Sequence, residues 1–283
     1  MLTEELIKEN LADLEERYVS HLVKRFSEWE VWAEISQKIV NGEEVKEHEV
    51  PKVFHVELKM MRVILEMEDL GKFDWNDPRL SQLFAEVTQD PFYTFFGEII
   101  TEISLRLADL AGVKTFLEIG AGRAHLTDIM LKQMGDNDKS IPLVATDAQP
   151  VILENIGKLK DAYPQVSLET LLWNIAEPPS DELLARIAYP TLLYERYTLN
   201  YANVKAIENI AKVADILVLG DWFNHTGKLY AYDEVFKKIG AHPLFYEDVK
   251  PLLDDYFPNQ YIFDQRALDA IKLPNITLLI AWK

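Results

Sequence analysis

The chain has 283 residues, 48% of them hydrophobic, which suits one large folded domain or a domain with a substantial extension. It has no cysteine, so disulfides, thiolate zinc sites and cysteine nucleophiles are excluded and a cytoplasmic location is allowed. The net charge of −18 repels phosphate backbones and argues against a nucleic-acid partner, while suiting a neutral or cationic small substrate. The N-terminal MLTEELIKENLADLEERY is acidic and amphipathic, unlike a secretory leader. No apolar run is long enough to span a bilayer, so no membrane association is expected.

Residues 1–110 read as helical. Ile7, Leu11, Leu14, Tyr18, Leu22, Phe26, Trp29 and Ala33 recur three or four apart and predict one long amphipathic helix ending at Asn41-Gly42. A second helix is expected from Val53 to Leu70, stopped by Gly71. Asp77-Pro78 and Asp90-Pro91 each read as an N-cap followed by proline in the first turn. The last helix carries Phe95, Phe96, Ile99, Ile100, Ile103, Leu107 and Leu110 on one side. This half has 12 basic and 24 acidic residues, against 17 and 23 in 111–283. Its apolar stripes also allow a homodimer.

After Gly112 the pattern changes. Short β-rich runs at 115–119, 141–146, 166–172, 191–196, 215–220, 261–264 and 277–281 alternate with helix-like segments. Several are apolar without alternation, as in strands covered on both faces. The fold class expected is α/β, a doubly wound, mostly parallel seven-stranded sheet at 111–283 behind a helical extension at 1–110. The last two runs, separated mainly by a loop containing Pro274-Asn275, predict an antiparallel pair at the sheet edge.

The stretch FLEIGAGRAHLTDIM (116–130) is a strand, a glycine turn and a helix. Such a turn offers unpaired helix N–H groups, and its glycines let the backbone approach a ligand. A dinucleotide would want GxGxxG, but His125 takes the third glycine's place, where close packing needs a small residue. NAD or NADP oxidoreduction is therefore the second reading, and a non-catalytic binding or interaction protein the third.

Glu118-Ile119-Gly120-Ala121-Gly122 resembles the first motif of class I S-adenosylmethionine-dependent methyltransferases, E/D-x-G-x-G-x-G, departing at Ala124. The resemblance covers about residues 112–283. It implies a Rossmann-like sheet that binds S-adenosylmethionine, leaves S-adenosylhomocysteine, and methylates an oxygen or nitrogen of a small molecule. Glu118, Gly120, Ala121 and Gly122 then hold the cofactor, with Asp147 and the adjacent Ala148 at the ribose. A carboxylate suits both hydroxyls of a cis-diol, and the polar stretch 135–140 reads as a loop insertion that lengthens the spacing from Glu118. Trp173 and Asn174 fall at the adenine. Tyr194, after the fourth strand's apolar run, and Tyr93, before the sheet, complete the cofactor set. The helical extension fits a cap over the site. Each residue also has a plainer role. Asp147 suits a helix N-cap, Asn174 a turn cap, and Trp29 and Trp32 a core. Glu195 and His225 are the catalytic candidates, a substrate-orienting carboxylate and a general base, unless Glu195 only pairs with Arg196 and His225 is a solvated loop residue. The histidines show no metal spacing, so no metal is expected.

Overall fold

The computed structural model describes residues 2–69, 78–238 and 240–283. The helical part comprises α1 (Glu4–Phe26), α2 (Trp29–Val40), α3 (His55–Asp69), α4 (Pro78–Val87) and α5 (Pro91–Ala111). In α1 the Thr3 hydroxyl accepts from the Leu6 N–H, and Lys24 and Arg25 occupy the last turn, where they complement the helix dipole. Its buried residues Ile7, Leu11, Leu14, Tyr18, Leu22 and Phe26 are the stripe read from sequence. The single long helix expected there is two. Glu28 leaves helical geometry (φ −108°, ψ 25°), and the Ser27 hydroxyl donates to the Lys24 carbonyl. The apolar stripe crosses the break in phase, so Phe26 and Trp29 both stay buried, 6.0 Å apart.

Helix α3 begins at His55 rather than at the expected Val53, and its expected end at Leu70 and stop at Gly71 lie outside the described residues, as does Asp77. Asp90 caps α5 by accepting from the Phe92 and Tyr93 N–H groups, with Pro91 in the first turn. Gly112 ends α5 in the left-handed region (φ 65°), which glycine enters without cost.

The strands are β1 (Thr115–Glu118), β2 (Leu143–Asp147), β3 (Leu168–Leu172), β4 (Thr191–Arg196), β5 (Ile216–Gly220), β6 (Phe223–Asn224), β7 (Leu244–Phe245), β8 (Asn259–Ile262), β9 (Asn275–Ile276) and β10 (Leu279–Trp282). The helices between them are α6 (His125–Asp136), α7 (Pro150–Gly157), α8 (Leu159–Ala162), α9 (Asp181–Arg186), α10 (Ala206–Ile210), α11 (Ala231–Lys237), α12 (Tyr246–Tyr256) and α13 (Gln265–Ile271). Seven strands form one sheet in the order β3-β2-β1-β4-β5-β10-β8. The first five run parallel, while β10 is antiparallel to β5 and to β8. The antiparallel edge is as expected, but α13 and β9, rather than a loop alone, separate its strands. The polar stretch at 135–140 begins as the end of α6 and only then becomes a loop. A second small sheet, β7-β6-β9, was not anticipated, because its strands are two residues long.

Strands β1, β2, β4 and β5 are buried along their whole length, which explains why their apolar residues run together instead of alternating with polar ones. Helix α5 packs on β4 and β5, α1 packs on α5 and α13, and α11 packs on α2 and α3. The Tyr18 hydroxyl of α1 bonds the Thr277 hydroxyl at 2.6 Å, and Thr277 donates twice to buried Asp264. No described helix is long and apolar enough to cross a membrane.

Candidate active site

Every parallel strand delivers its last residues to one edge of the sheet, the usual ligand edge of an open α/β fold. At β1 the chain enters the glycine turn. Gly120 (φ 59°), Gly122 (φ 53°) and Ala124 (φ 63°) all adopt left-handed backbone. A Cβ on Gly120 would overlap the Thr198 side chain, whereas one on Gly122 would meet only the Gly120 carbonyl, at 3.7 Å. The backbone is therefore bare toward open space at Gly122. The Ala121 N–H donates to the Thr146 carbonyl, and the Gly122 N–H donates to Asp147 Oδ2, at 3.0 Å each. Asp147 Oδ1 accepts from the Gln149 N–H ahead of α7, so the carboxylate binds the turn to the end of β2.

A cavity of about 920 Å³ opens over this edge. Of the sequence-predicted cofactor residues, Glu118, Gly120, Ala121, Gly122, Asp147, Ala148, Trp173, Asn174 and Tyr93 line it. Asn174 Oδ1 also accepts from the Ala176 N–H, the turn-capping role, and Trp173 donates from Nε1 to the Glu177 carbonyl. Tyr194 lies beneath the floor: it is fully buried and its hydroxyl donates to Glu118 Oε2 at 3.1 Å. Glu195 is also fully buried outside the lining, accepting from the Thr198 N–H, with Oε1 unpartnered. His225 is exposed away from the cavity, with Nε2 donating to the Leu273 carbonyl at 2.8 Å.

Sequence reasoning had not assigned Arg196, His125, Tyr197 and Trp222 to the site, and all four line the cavity. Arg196 ends β4, is 9% exposed, and its guanidinium lies 3.6 Å from the Tyr93 ring centroid. It donates to the Tyr93 carbonyl and to His125 Nδ1, its Nε has no partner, and none of the described carboxylates pairs with it. Its signal in the sequence was a charged residue closing an apolar strand. Tyr197 follows in left-handed backbone (φ 58°), uncommon for a bulky residue, and stacks on Tyr93 at 6.0 Å.

Burial dominates the electrostatics. It pushes Glu118 up to about 7, partly offset by the Tyr194 hydroxyl. Burial and the Arg196 charge push His125 down to about 4, so at neutral pH its Nδ1 accepts from Arg196 as a neutral ring. Burial and then the neighbouring Asp221 raise Glu195 well above the usual carboxylate range, and burial raises Asp221 to about 7. Among the described residues no group of three or more His, Asp or Glu side chains is placed to hold a metal ion.

From His125 the cavity runs past Tyr93 and Tyr197 to Trp222, and ends among residues of the helical part, including Trp29, Phe54, Met60 and Met61. Trp222 lies 6.4 Å from Trp29 and 6.1 Å from Tyr232. One end thus carries bare backbone and carboxylates, and the other aromatic rings.

No family model matches the chain. No curated protein matches it either. Among solved structures it is similar to the CMeT domain of citrinin polyketide synthase, with a TM-score of 0.57 and 14% identity over 74% of this chain. It is also similar to DszA carbon methyltransferase, with a TM-score of 0.54 and 14% identity over 68% of this chain. The chain spans only 57% and 55% of those neighbours' own lengths. At such identity the likeness is one of fold, and the fold is that of the class I S-adenosylmethionine-dependent methyltransferases.

Proposed function

We propose that the protein transfers a methyl group from S-adenosylmethionine to an oxygen or nitrogen of a small molecule. The observation that carries this reading is the single cavity joining the glycine turn and Asp147 to a separate aromatic end. Its volume of 920 Å³ is near the top of the ~300–1,000 Å³ range of small-molecule sites, which suits two occupants.

The residues present fit the cofactor. Gly122 leaves open space where a side chain would fill the cradle. Asp147 keeps lone pairs free for the ribose hydroxyls beyond its two backbone bonds. Trp173 and Asn174 suit the base, and Arg196, buried without a carboxylate partner, suits the carboxylate of an amino-acid end. When bound, the cofactor supplies a methyl activated by its sulfonium charge, which passes to an acceptor lone pair as the methyl–sulfur bond breaks toward sulfur. The chain's own share is to hold the acceptor in line and exclude water, with residues 1–110 as the cover. A neutral amine needs no base before attack, whereas a hydroxyl must give up its proton, and Glu195 and His225, the candidates read from sequence to take it, both lie outside the cavity lining.

A carbon acceptor is the second reading, favoured by the name of the DszA neighbour. Oxidoreduction with NAD is less well supported, because His125 is engaged with Arg196 where a dinucleotide turn needs a small residue. The lack of cysteine suits a cytoplasmic setting. The deciding experiment is calorimetric titration with S-adenosylhomocysteine, NAD and NADP. Micromolar binding of the first alone is expected. Binding of NAD instead would reject the reading, and binding of none would favour the non-catalytic alternative.

A further inference from the structure

The aromatic end of the cavity has a chemistry of its own. Phe92, Tyr93, Tyr197, Trp222, Tyr232 and Phe236 all line the cavity and are only half-buried, so each leaves part of a ring uncovered. Fixed aromatic faces of this kind attract flat apolar molecules and, through their quadrupoles, cations.

The charges at this end are unbalanced. Among the helices Arg25, Glu57, Asp90 and Asp233 line the cavity, three acids to one base, while Arg196 lies at the Tyr93 ring on the side of the glycine turn. Arg25 is already engaged: it lies 2.7 Å from Glu57 and 3.7 Å from Asp90, with its guanidinium near the Phe54 and Phe92 rings. The second oxygen of Glu57 has no hydrogen-bond partner. An anionic acceptor would meet Glu57, Asp90 and Asp233 with one committed arginine to offset them. The surrounding potential has the same sign, since residues 1–110 carry a net charge of −12 within the molecule's −18.

We propose that this end of the cavity takes an arylalkylamine, a flat apolar body against the tyrosine and tryptophan rings with a cationic side-chain nitrogen in the field of Glu57, Asp90 and Asp233. The proposal rests on the methyltransferase reading for the other end of the cavity, and the two fail separately.

The test loads the protein with S-adenosylhomocysteine and then titrates three probes of one shape: tryptamine, uncharged 3-ethylindole and indole-3-propionate. Tryptamine is expected to bind at least tenfold tighter than 3-ethylindole, with indole-3-propionate weakest. Glu57→Gln should cut the tryptamine advantage about fivefold and leave S-adenosylhomocysteine affinity unchanged, which also shows that the variant folds. Indole-3-propionate binding as tightly as tryptamine would overturn the proposal. So would a tryptamine advantage unmoved by Glu57→Gln, or no binding of any probe. If S-adenosylhomocysteine itself does not bind, the methyltransferase reading fails, and the same titrations on the free protein still decide the amine.

Discussion

The two ends of the cavity are built in different ways. At the glycine-turn end, the wall is made by three short stretches of chain: Glu118 with Gly120 to Gly122, Asp147-Ala148 and Trp173-Asn174. Strand register fixes their spacing, so one turn and two strand ends complete that half. At the aromatic end the wall is assembled from α1, α2, α3, the start of α5, the turn after β5 and α11. Each contributes one to a few side chains, rings from all but α3, and none means anything alone. A ligand held by backbone geometry is specified locally, while a ligand held by a shaped apolar wall is specified only once distant helices have packed.

The contrast can be broken at the turn first. Gly120→Val forces a branched side chain into left-handed backbone against Thr198, at a cost of roughly 3 kcal/mol or more. Thermal unfolding should show the loss, and calorimetry should show no S-adenosylhomocysteine binding. Next is Asp147→Ala, which removes the proposed ribose acceptor and should weaken S-adenosylhomocysteine about 100-fold. Because Asp147 also accepts from Gly122 and Gln149, it should lose about 1 kcal/mol of stability as well.

Glu118→Gln sharpens the comparison through pH. The folded-state value of about 7 lies above the ordinary 4.5, so the folded protein holds a proton that the unfolded chain releases. That contribution is complete below 4.5 and disappears as pH rises to about 7, an effect on the order of 3 kcal/mol. Glutamine cannot ionise and still accepts from Tyr194. The variant should therefore gain on the wild type in denaturant unfolding as pH passes from 5 to 8. The smallest effect belongs to Ala124→Gly. It relieves an alanine at φ 63° and should raise stability by up to about 1 kcal/mol, with S-adenosylhomocysteine affinity preserved.

What could be read in the sequence follows the same division. The Asp90-Pro91 start of α5 and the glycine turn were legible because caps and turns are local chemistry. The break at Ser27-Glu28 was not, because the apolar stripe continues across it. Helix α13 was read as loop, being only seven residues long and closed by Lys272, a non-glycine in left-handed backbone. At the site, Arg196 was one possible partner for Glu195. It donates instead to His125 and the Tyr93 carbonyl, 71 and 103 residues away. Trp29 and Trp32 had the spacing of core residues, and they are both core and cavity wall. Periodicity gives the inward face of a helix but not whether another residue or a hollow lies opposite it.

Tyr197 carries a consequence of a different kind. Its ring rests on Tyr93 on one side and approaches Trp222 on the other, and its backbone is held in a region where few tyrosines sit. A bulky residue fixed by both its main chain and its ring cannot swing aside to suit a longer or shorter guest. The Tyr197 ring is thus a fixed part of the cavity wall, which neighbouring side chains cannot reshape without moving Tyr93 and Trp222 as well.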